Sequence, residues 1–188
     1  MKRNGIPPLS ILDLTLKISI KSGQLERLSA MRVKDLLTMS VGHAKPIMGT
    51  EWRRTKSEWV SYFLNKPMDH APGTKFIYNS GATYMLSAIV QKVAGQRVLD
   101  YLQPRLFAPL GIHSAEWDTC PSGINTGGWG LSLRTEDIAR FGLFYLQCGV
   151  WNGKQILPEE WVLEATSKQI PNDEDEQSDF QQGYGYQF

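Results

Sequence analysis

Apolar residues recur at helical spacing along most of this chain, so the pattern predicts a helix-rich fold with few strands. The first such stretch predicts an amphipathic helix over residues 30–41, which Gly42 would end. A second helix is expected to follow the capping-box spacing of Thr55–Glu58 and to end before Pro67. Residues 1–26 mostly alternate between apolar and polar side chains, which favours a strand.

The middle of the chain carries its clearest helix. After a brief extended piece at 75–78, one apolar face recurs until Gly95, a residue typical of helix C-termini. That face consists of Met85, Leu86, Ile89, Val90 and Val93. A helix is predicted over 98–107 with an interruption near Pro104, and the glycine-rich stretch 111–130 predicts a structured loop.

Three local signals organise the last third of the chain. Thr135 can cap a helix whose apolar residues spread over more than one face, so that helix is expected to be well buried. Asn152-Gly153 between two short extended pieces predicts a tight hairpin. Pro158 opens a further helix. The aromatic–glycine alternation of 183–188 predicts the start of a strand, and we interpret the chain as cut there.

Composition narrows the classes of protein. The 188 residues carry 20 Lys and Arg against 19 Asp and Glu, a balance that argues against a nucleic-acid partner bound through bulk charge. No apolar run approaches the roughly 18–20 residues of a membrane span. The two cysteines, Cys120 and Cys148, can form at most one bridge, and free thiols are the alternative.

Chemical motifs exclude several kinds of site. The three histidines (His43, His70 and His113) do not stand at ligand spacing from one another, so we predict no metal site. Neither a phosphate-binding loop nor a dinucleotide fingerprint is present, and no cofactor is expected. No Gly-x-Ser-x-Gly elbow occurs, which excludes an ordinary α/β-hydrolase nucleophile.

One segment points to a family. Residues 72–86, Pro-Gly-Thr-Lys-Phe-Ile-Tyr-Asn-Ser-Gly-Ala-Thr-Tyr-Met-Leu, resemble the second motif of the β-lactamase-related serine hydrolases, which include class C β-lactamases, DD-peptidases and esterases. Segments 33–43, 106–112, 126–132 and 135–142 resemble further landmarks of that family in the expected order. Each segment alone is weakly specific to this family, whereas the series of segments in the family's order is strongly specific to it.

The resemblance implies a fold and a domain organisation. It implies a mixed α/β fold of the β-lactamase/transpeptidase-like type, of which this chain would cover mainly the helical subdomain with a few short strands. Residues 29–188 would be a partial domain truncated at both ends. Residues 1–28 form a divergent N-terminal segment that matches nothing expected there, and whether it is native to the family is left open.

The resemblance also implies an acyl-enzyme mechanism. In this family the Ser of a Ser-x-x-Lys motif attacks a carbonyl, the Lys and a Tyr share the general-base role, and a Lys-Thr-Gly or His-x-Gly strand lies beside them. Tyr78 matches that Tyr. Ser80 stands where the family commonly has Asn, and Asn79 precedes it. This departure makes an amide or ester substrate more expected than a β-lactam.

Each candidate site residue also has a purely structural interpretation. Tyr78 could be a tyrosine at the edge of the core, and Ser80 or Asn79 could be helix caps. Gly127 and Gly128 could let substrate or backbone approach closely, or could simply form a tight turn. His43 and Trp129 are further candidates for the wall of a cleft, with burial as the alternative.

Two of the three catalytic motifs are missing from the sequence. No serine stands three residues before any lysine, and no Lys-Thr-Gly occurs. We therefore interpret the chain as an internal fragment of a bacterial-type serine hydrolase that is inactive alone. The alternative is a binding module that has lost catalysis. The expected partner is a small amide, ester or β-lactam-like molecule, and a periplasmic or secreted location is suggested by the resemblance only.

Overall fold

Short helices joined by long irregular segments dominate the computed structural model, which describes residues 24–47, 52, 58–172 and 182–188. The helices are α1 (Leu25–Ala30), α2 (Val33–Leu37), α3 (Trp59–Leu64), α4 (Ser80–Ala94), α5 (Val98–Leu102), α6 (Thr135–Leu146) and α7 (Glu159–Thr166). A π-helical segment, Gln103–Phe107, continues α5.

The strands are short antiparallel pairs. Strand β1 (Glu116–Trp117) pairs with β2 (Leu131–Ser132), with Glu116 opposite Ser132. Strand β3 (Val150–Trp151) pairs with β4 (Lys154–Gln155), with Trp151 opposite Lys154. The predicted predominance of helices over strands is confirmed in the described residues.

The helix predicted over 30–41 is present as α2, but it is shorter than predicted at both ends. Helix α1 ends at Ala30, and Met31 and Arg32 are extended before α2 begins. The buried carboxylate of Asp35 explains the break, because it accepts a hydrogen bond from the Arg32 backbone N–H (2.8 Å) and pairs with the Arg32 guanidinium (3.1 Å). That ion pair raises the pKa of Arg32. A polar contact, invisible in the apolar spacing, therefore sets the start of α2.

Helix α4 forms as its pattern predicts. Asn79 caps its first turn by accepting a hydrogen bond from the Gly81 N–H (2.9 Å). Gly95 ends it in the left-handed conformation, at φ 67°, with its N–H donating to the Gln91 carbonyl. The buried face packs against α2 and α3.

The other local signals give mixed outcomes. Asn152 and Gly153 both have positive φ (49° and 74°), as the predicted tight hairpin requires. Pro104 lies where α5 gives way to the π-helical segment, as predicted. Thr135 is not a cap: Arg134 occupies that position and no side chain bonds the helix end. Helix α6 is also less buried than expected, since only Asp137 and Phe144 are buried in it.

Two hydrophobic clusters hold the described residues together. The larger gathers α2, α3 and α4 around aromatic rings, in particular Trp52, Trp59, Phe63 and Tyr84. The smaller consists of Phe107, Leu110, Ile112 and Phe144. Because α4 contributes its buried face to the larger cluster, the residues before its first turn are held in place by that core.

The C-terminal segment 182–188 is not the start of a strand. It forms one isolated bridge, between Ile170 and Tyr184, and then runs irregularly over the helices. Tyr186 is buried, and its hydroxyl donates to the Glu164 carboxylate (2.6 Å). Its backbone N–H donates to the Ala165 carbonyl (2.8 Å). The Tyr186 ring, one of the aromatic side chains that predicted a strand, packs against Trp161 of α7 instead, with ring centroids 5.5 Å apart.

Some predictions fall on residues that the structure does not describe. Most of the strand predicted over 1–26 lies outside the described residues, although Leu25 and Glu26 belong to α1. The capping-box positions 55–57 also lie outside them. Within the described residues, no helix has the length and apolar character needed to cross a membrane, and no group of His, Cys, Asp or Glu is placed to hold a metal ion. Cys120 and Cys148 are free thiols.

Candidate active site

Tyr78 ends the extended segment 75–78 that leads into α4. A backbone hydrogen bond attaches this segment to the residues after α2: the Ile77 N–H donates to the carbonyl of Met39 (3.0 Å). The Tyr78 side chain is 58% exposed, whereas the next residue, Asn79, is fully buried. The structure therefore presents the Tyr78 phenol to solvent from a rigid support.

The second tyrosine of the motif has a different environment. Tyr84 lies on the buried face of α4, with its hydroxyl 3.5 Å from Sγ of Cys120. Burial, followed by the contact with Cys120, raises the pKa of Tyr84 far above the usual range of a phenol. Tyr84 is therefore a core residue, and Tyr78 alone of the two is available to a substrate.

Asn79 joins three parts of the chain. Its side-chain oxygen accepts from the Gly81 N–H (2.9 Å) and from the Ile47 N–H (3.4 Å). Its amide nitrogen lies 3.3 Å from Nδ1 of His43, and its backbone N–H contacts the sulfur of Met39 (3.3 Å). The structure thus places Asn79 as the cap of α4 and as the link between that helix and the loop of residues 43–47.

His43 is buried (3% exposed) and stacks edge-on against Phe63, with ring centroids 5.0 Å apart. Burial lowers its pKa to about 4; Asp69 opposes this shift and Lys66 adds to it. The ring is therefore neutral at pH 7. Because the Asn79 oxygen already accepts two N–H groups, its amide N–H donates to Nδ1 of His43, and the ring proton lies on Nε2.

Ser80, Gly127 and Gly128 come together at the first turn of α4. A methyl group added at Gly128 would lie 3.3 Å from the carbonyl oxygen and Cβ of Ser80. One added at Gly127, where φ is +73°, would lie 2.7 Å from the Thr83 carbonyl oxygen. The two glycines therefore allow the loop of residues 126–129 to lie directly on the helix backbone, so the close approach of backbone is the role that the structure shows for them.

Trp129, in the same loop, is half-buried and serves as an anchor. Its ring packs against Trp59 (centroids 5.9 Å apart) and its carbonyl accepts the indole N–H of Trp117 (3.0 Å). Ser87 on α4 donates to the Asn125 carbonyl (2.7 Å), which secures the loop from the other side. The loop that contacts Ser80 is thus held at both ends.

Sequence reasoning missed the neighbours that the C-terminal segment brings to Tyr78. Tyr184 stacks on Phe76, with centroids 4.9 Å apart. Burial, and secondly the Tyr78 phenol, raise the pKa of Tyr184 to about 12. The aromatic–glycine alternation was the available signal, but local spacing says nothing of a partner a hundred residues away.

Gln187 is a second residue that the pattern did not single out. Its side-chain nitrogen donates to the carbonyls of Leu36 (3.2 Å) and Leu37 (2.9 Å), and its oxygen accepts from Thr83 (2.7 Å). Gln187 thus ties the C-terminal segment to α2 and to the first turn of α4. A single glutamine in a polar stretch gives no sequence signal for such a role.

This arrangement exposes the Tyr78 phenol to solvent beside backbone that Asn79 and Ile77 hold in place by hydrogen bonds. A phenol acts as an effective base at neutral pH only when a nearby cation stabilises its anion. The sequence contains no Ser-x-x-Lys motif to supply that cation and a nucleophile together.

The model of one protein family, described as Beta-lactamase, matches residues 25–188. The chain belongs to the Beta-lactamase family. This membership confirms the resemblance read from residues 72–86 and the β-lactamase/transpeptidase-like fold predicted from it. The matched stretch begins four residues before the boundary that the sequence predicts at residue 29.

The chain is similar in sequence to a hydrolase and in structure to two penicillin-binding proteins. The chain is 26% identical to a 6-aminohexanoate-dimer hydrolase of Paenarthrobacter ureafaciens over 185 residues, 96% of this chain and 45% of that protein. Among solved structures, an octameric penicillin-binding protein homologue from Pyrococcus abyssi matches with a TM-score of 0.63 at 18% identity (95% of this chain, 49% of that one). A penicillin binding protein from Bacillus halodurans gives 0.62 at 18% identity (95% and 65%).

The chain spans less than two thirds of the length of each of these relatives. The two structural matches therefore show the fold of this chain. Family membership gives the general class, a serine-hydrolase relative, and leaves the activity of a whole protein to be inferred from the site.

Proposed function

We propose that this chain is the helical part of a serine hydrolase that cleaves amide or ester bonds through an acyl-enzyme. Tyr78 is the general-base partner of a Ser/Lys pair that another segment supplies. The observation that carries the proposal is the position of Tyr78, which is exposed at the entrance to α4 in a motif that matches the family's Tyr.

The proposed chemistry assigns Tyr78 a proton-transfer role. The serine oxygen forms a bond to the substrate carbonyl carbon while its proton passes to the Tyr78 phenolate, whose charge the lysine ammonium stabilises. The proton then moves to the departing nitrogen or oxygen as its bond to the carbonyl carbon breaks. Water attacks the acyl-enzyme in the same way, which releases the acid and restores the serine.

The neighbouring residues have supporting roles in this proposal. Asn79 fixes the backbone on which Tyr78 stands, and Ser80 offers a hydroxyl to the substrate at the position where the family commonly has Asn. Gly127 and Gly128 bring their loop against Ser80. An amide or ester substrate fits this departure, and one relative of the chain is named a 6-aminohexanoate-dimer hydrolase.

The experiment starts from the coding DNA on either side of this chain. A Ser-x-x-Lys upstream and a Lys-Thr-Gly or His-x-Gly downstream would allow the complete protein to be expressed and assayed with p-nitrophenyl esters and short linear amides. Tyr78→Phe is expected to lower kcat by about a hundredfold to ten-thousandfold, the range for loss of a general base, with little change in KM.

Tyr101→Phe on α5 is the matched control and should leave kcat unchanged. Unaltered turnover in Tyr78→Phe would exclude the proposed role. The 188-residue chain alone is expected to hydrolyse neither substrate, because it has no nucleophile of the required kind. Turnover by that chain, lost in Tyr78→Phe, would contradict the assignment of the nucleophile to another segment.

The alternative is a binding module without catalysis, which the lack of Ser-x-x-Lys in these residues favours. A complete coding region that also lacks the motif would support it. Cooperative unfolding of the 188-residue chain together with saturable binding of a small molecule would be expected in that case, and a non-cooperative, aggregating chain would count against it.

A further inference from the structure

Helix α6 has an apolar surface that the described residues leave exposed. Its apolar side chains spread over more than one face, a pattern typical of a well-buried helix. Within the described residues, however, only Asp137 and Phe144 are buried in it. A helix that is apolar around most of its circumference is stable chiefly when a neighbour covers that surface, so the pattern indicates a covering partner.

The exposed apolar residues form one continuous strip along the helix. Ile138, Gly142 and Leu146 follow one another at intervals of four residues, and Ala139 and Leu143 lie beside them at the same interval. Ile138, Leu143 and Leu146 are 59%, 45% and 84% exposed. Single exposed apolar residues are ordinary on a protein surface, whereas a continuous apolar strip marks an interaction surface.

A polar edge runs beside this apolar strip. Glu136, Arg140 and Gln147 are exposed and lie on the same side of the helix. Arg140 also pairs with the Asp137 carboxylate (2.5 Å). Because these charged and amide groups are best hydrated, a covering partner is expected on the apolar strip and not on the polar edge.

The last residue of the chain lies at the border of the apolar strip. The Phe188 ring stacks on Tyr145 of α6, with centroids 4.9 Å apart, and is 49% exposed. Tyr145 stands two helical turns from Ile138 on the same side of α6. Any polypeptide that continues from Phe188 therefore begins beside the apolar strip.

The matched proteins of this fold are longer than the chain. The two solved structures match 95% of this chain but only 49% and 65% of their own length. In those proteins the fold therefore includes polypeptide that the present sequence does not contain. The parts of one domain cover each other's apolar faces, because each helix or sheet must bury its apolar side against another element.

We propose that the apolar strip of α6 is the docking surface for the rest of the domain, and that polypeptide continuing from Phe188 packs its apolar side chains against Ile138 and Leu146. Gly142 permits a close approach, because a methyl group added there would have no neighbour within 4 Å. The inference rests on the proposed function only in taking the chain as part of a longer domain, and it does not involve Tyr78.

Thiol labelling tests this surface in the 188-residue chain and in the complete protein expressed from the coding region that contains it. Ile138→Cys places a thiol on the apolar strip, and Glu136→Cys places a matched thiol on the polar edge. Both lie in the tryptic peptide 135–140, which has no native cysteine, so mass spectrometry follows each reaction with maleimide separately.

In the 188-residue chain both thiols are expected to react rapidly. In the complete protein Ile138→Cys should react at least about tenfold more slowly than Glu136→Cys, because labelling must then await local opening. The comparison within the complete protein does not depend on how stably the 188-residue chain folds.

A charge placed at the other end of the apolar strip provides a second measurement. Leu146→Glu should lower the urea midpoint of the complete protein, because the new carboxylate would be buried there, and should leave the midpoint of the 188-residue chain unchanged. Gln147→Glu adds the same charge at the next position, on the polar edge, and should leave both midpoints unchanged.

Three outcomes would overturn the proposal. These are fast labelling of Ile138→Cys in the complete protein, a coding region that ends at Phe188, and slow labelling already in the 188-residue chain. In the last case the chain's own remaining residues or a second copy would cover the apolar strip. Turnover separates this inference from the proposed function. A protected strip in a protein whose turnover Tyr78→Phe does not lower would contradict the proposed function alone, and an exposed strip in an enzyme that depends on Tyr78 would contradict this inference alone.

Discussion

His43 and Asn79 form a buried polar pair that works only with one proton arrangement. The Asn79 amide donates to Nδ1 of His43, so a proton on Nδ1 would place two donors against each other. Burial lowers the pKa of His43 to about 4, well below its ordinary value. Acid therefore acts on the loop of residues 43–47 and on the cap of α4 through the same contact.

The sign of the pH dependence follows from these values. Between the ordinary pKa of histidine, about 6.5, and the folded value of about 4, the unfolded chain binds the proton and the folded chain does not. The free energy of unfolding should therefore fall by about 3 kcal/mol as pH decreases through this window, and stay flat above it as far as this group is concerned. Urea unfolding at several pH values measures it.

His43→Gln removes the titrating group and is expected to flatten this part of the pH profile. His113→Gln, at an exposed position, is the control and should retain the profile of the unmodified chain. An undiminished acid slope in His43→Gln would show that other groups cause it.

The sequence indicates the individual candidate residues but not the contacts between them. Tyr78, Asn79 and Ser80 stand in a recognisable motif, and the cap interpretation of Asn79 is the one that the structure shows. His43 was a candidate for either a cleft wall or burial, and it is both buried and at a cavity wall. Its bond to Asn79 spans 36 positions, and no local rule pairs residues at that distance.

At the scale of elements, helix α4 and the loop of residues 126–129 fit together because one position lacks a side chain. Gly127 has a positive φ of +73° and no room for a methyl group beside the Thr83 carbonyl. Gly123, in the preceding turn, has a similar φ of +77° but open space around it. A side chain at Gly123 would therefore cause backbone strain alone, whereas one at Gly127 would cause both backbone strain and a steric clash.

Gly127→Ala should lower the free energy of unfolding by about 3 kcal/mol or more, because the strain of a left-handed alanine adds to a contact that must move the loop. Gly123→Ala should lose only about 1 kcal/mol, the strain alone. Denaturant titrations of both variants provide the comparison. Equal losses would mean that the loop does not rest on α4 as described.

Element prediction succeeded where the signal was local. The apolar face, Asn79 and Gly95 lie within one helix and its caps, and the hairpin needs only Asn152-Gly153. It failed where a side chain beyond the apolar pattern decided the backbone. The Asp35 carboxylate sets the start of α2, and Thr135 is displaced as a cap by the extended Arg134 before it.

In the whole molecule, the C-terminal segment 182–188 connects helices that lie far apart along the chain. Gln187 bonds α2 and α4 across about 150 and 104 positions, and Phe188 stacks on Tyr145 of α6 with centroids 4.9 Å apart. Sequence pattern placed these residues in a strand because aromatic–glycine alternation is typical of one. Their actual partners come from elements far along the chain, which alternation alone does not identify.

Gln187→Ala is expected to lower the free energy of unfolding by about 2 kcal/mol, since it removes three side-chain hydrogen bonds at the junction of α2 and α4. Gln182→Ala, at an exposed position in the same segment, should change it by less than about 0.5 kcal/mol. Chemical denaturation followed by circular dichroism measures both, and a Gln187→Ala variant as stable as Gln182→Ala would contradict the connecting role.

The aromatic rings of the larger core have an optical consequence. Trp52 and Trp59 lie 4.9 Å apart, Tyr84 is 5.5 Å and 5.3 Å from them, and Tyr62 is 5.4 Å from Trp52. Excitation of a tyrosine at such short range passes to an indole before the tyrosine can emit. Light absorbed by Tyr62 or Tyr84 is therefore emitted as tryptophan fluorescence while this core is intact. Tyrosine emission returns when the rings separate. The ratio of tyrosine to tryptophan emission thus reports whether this core is folded.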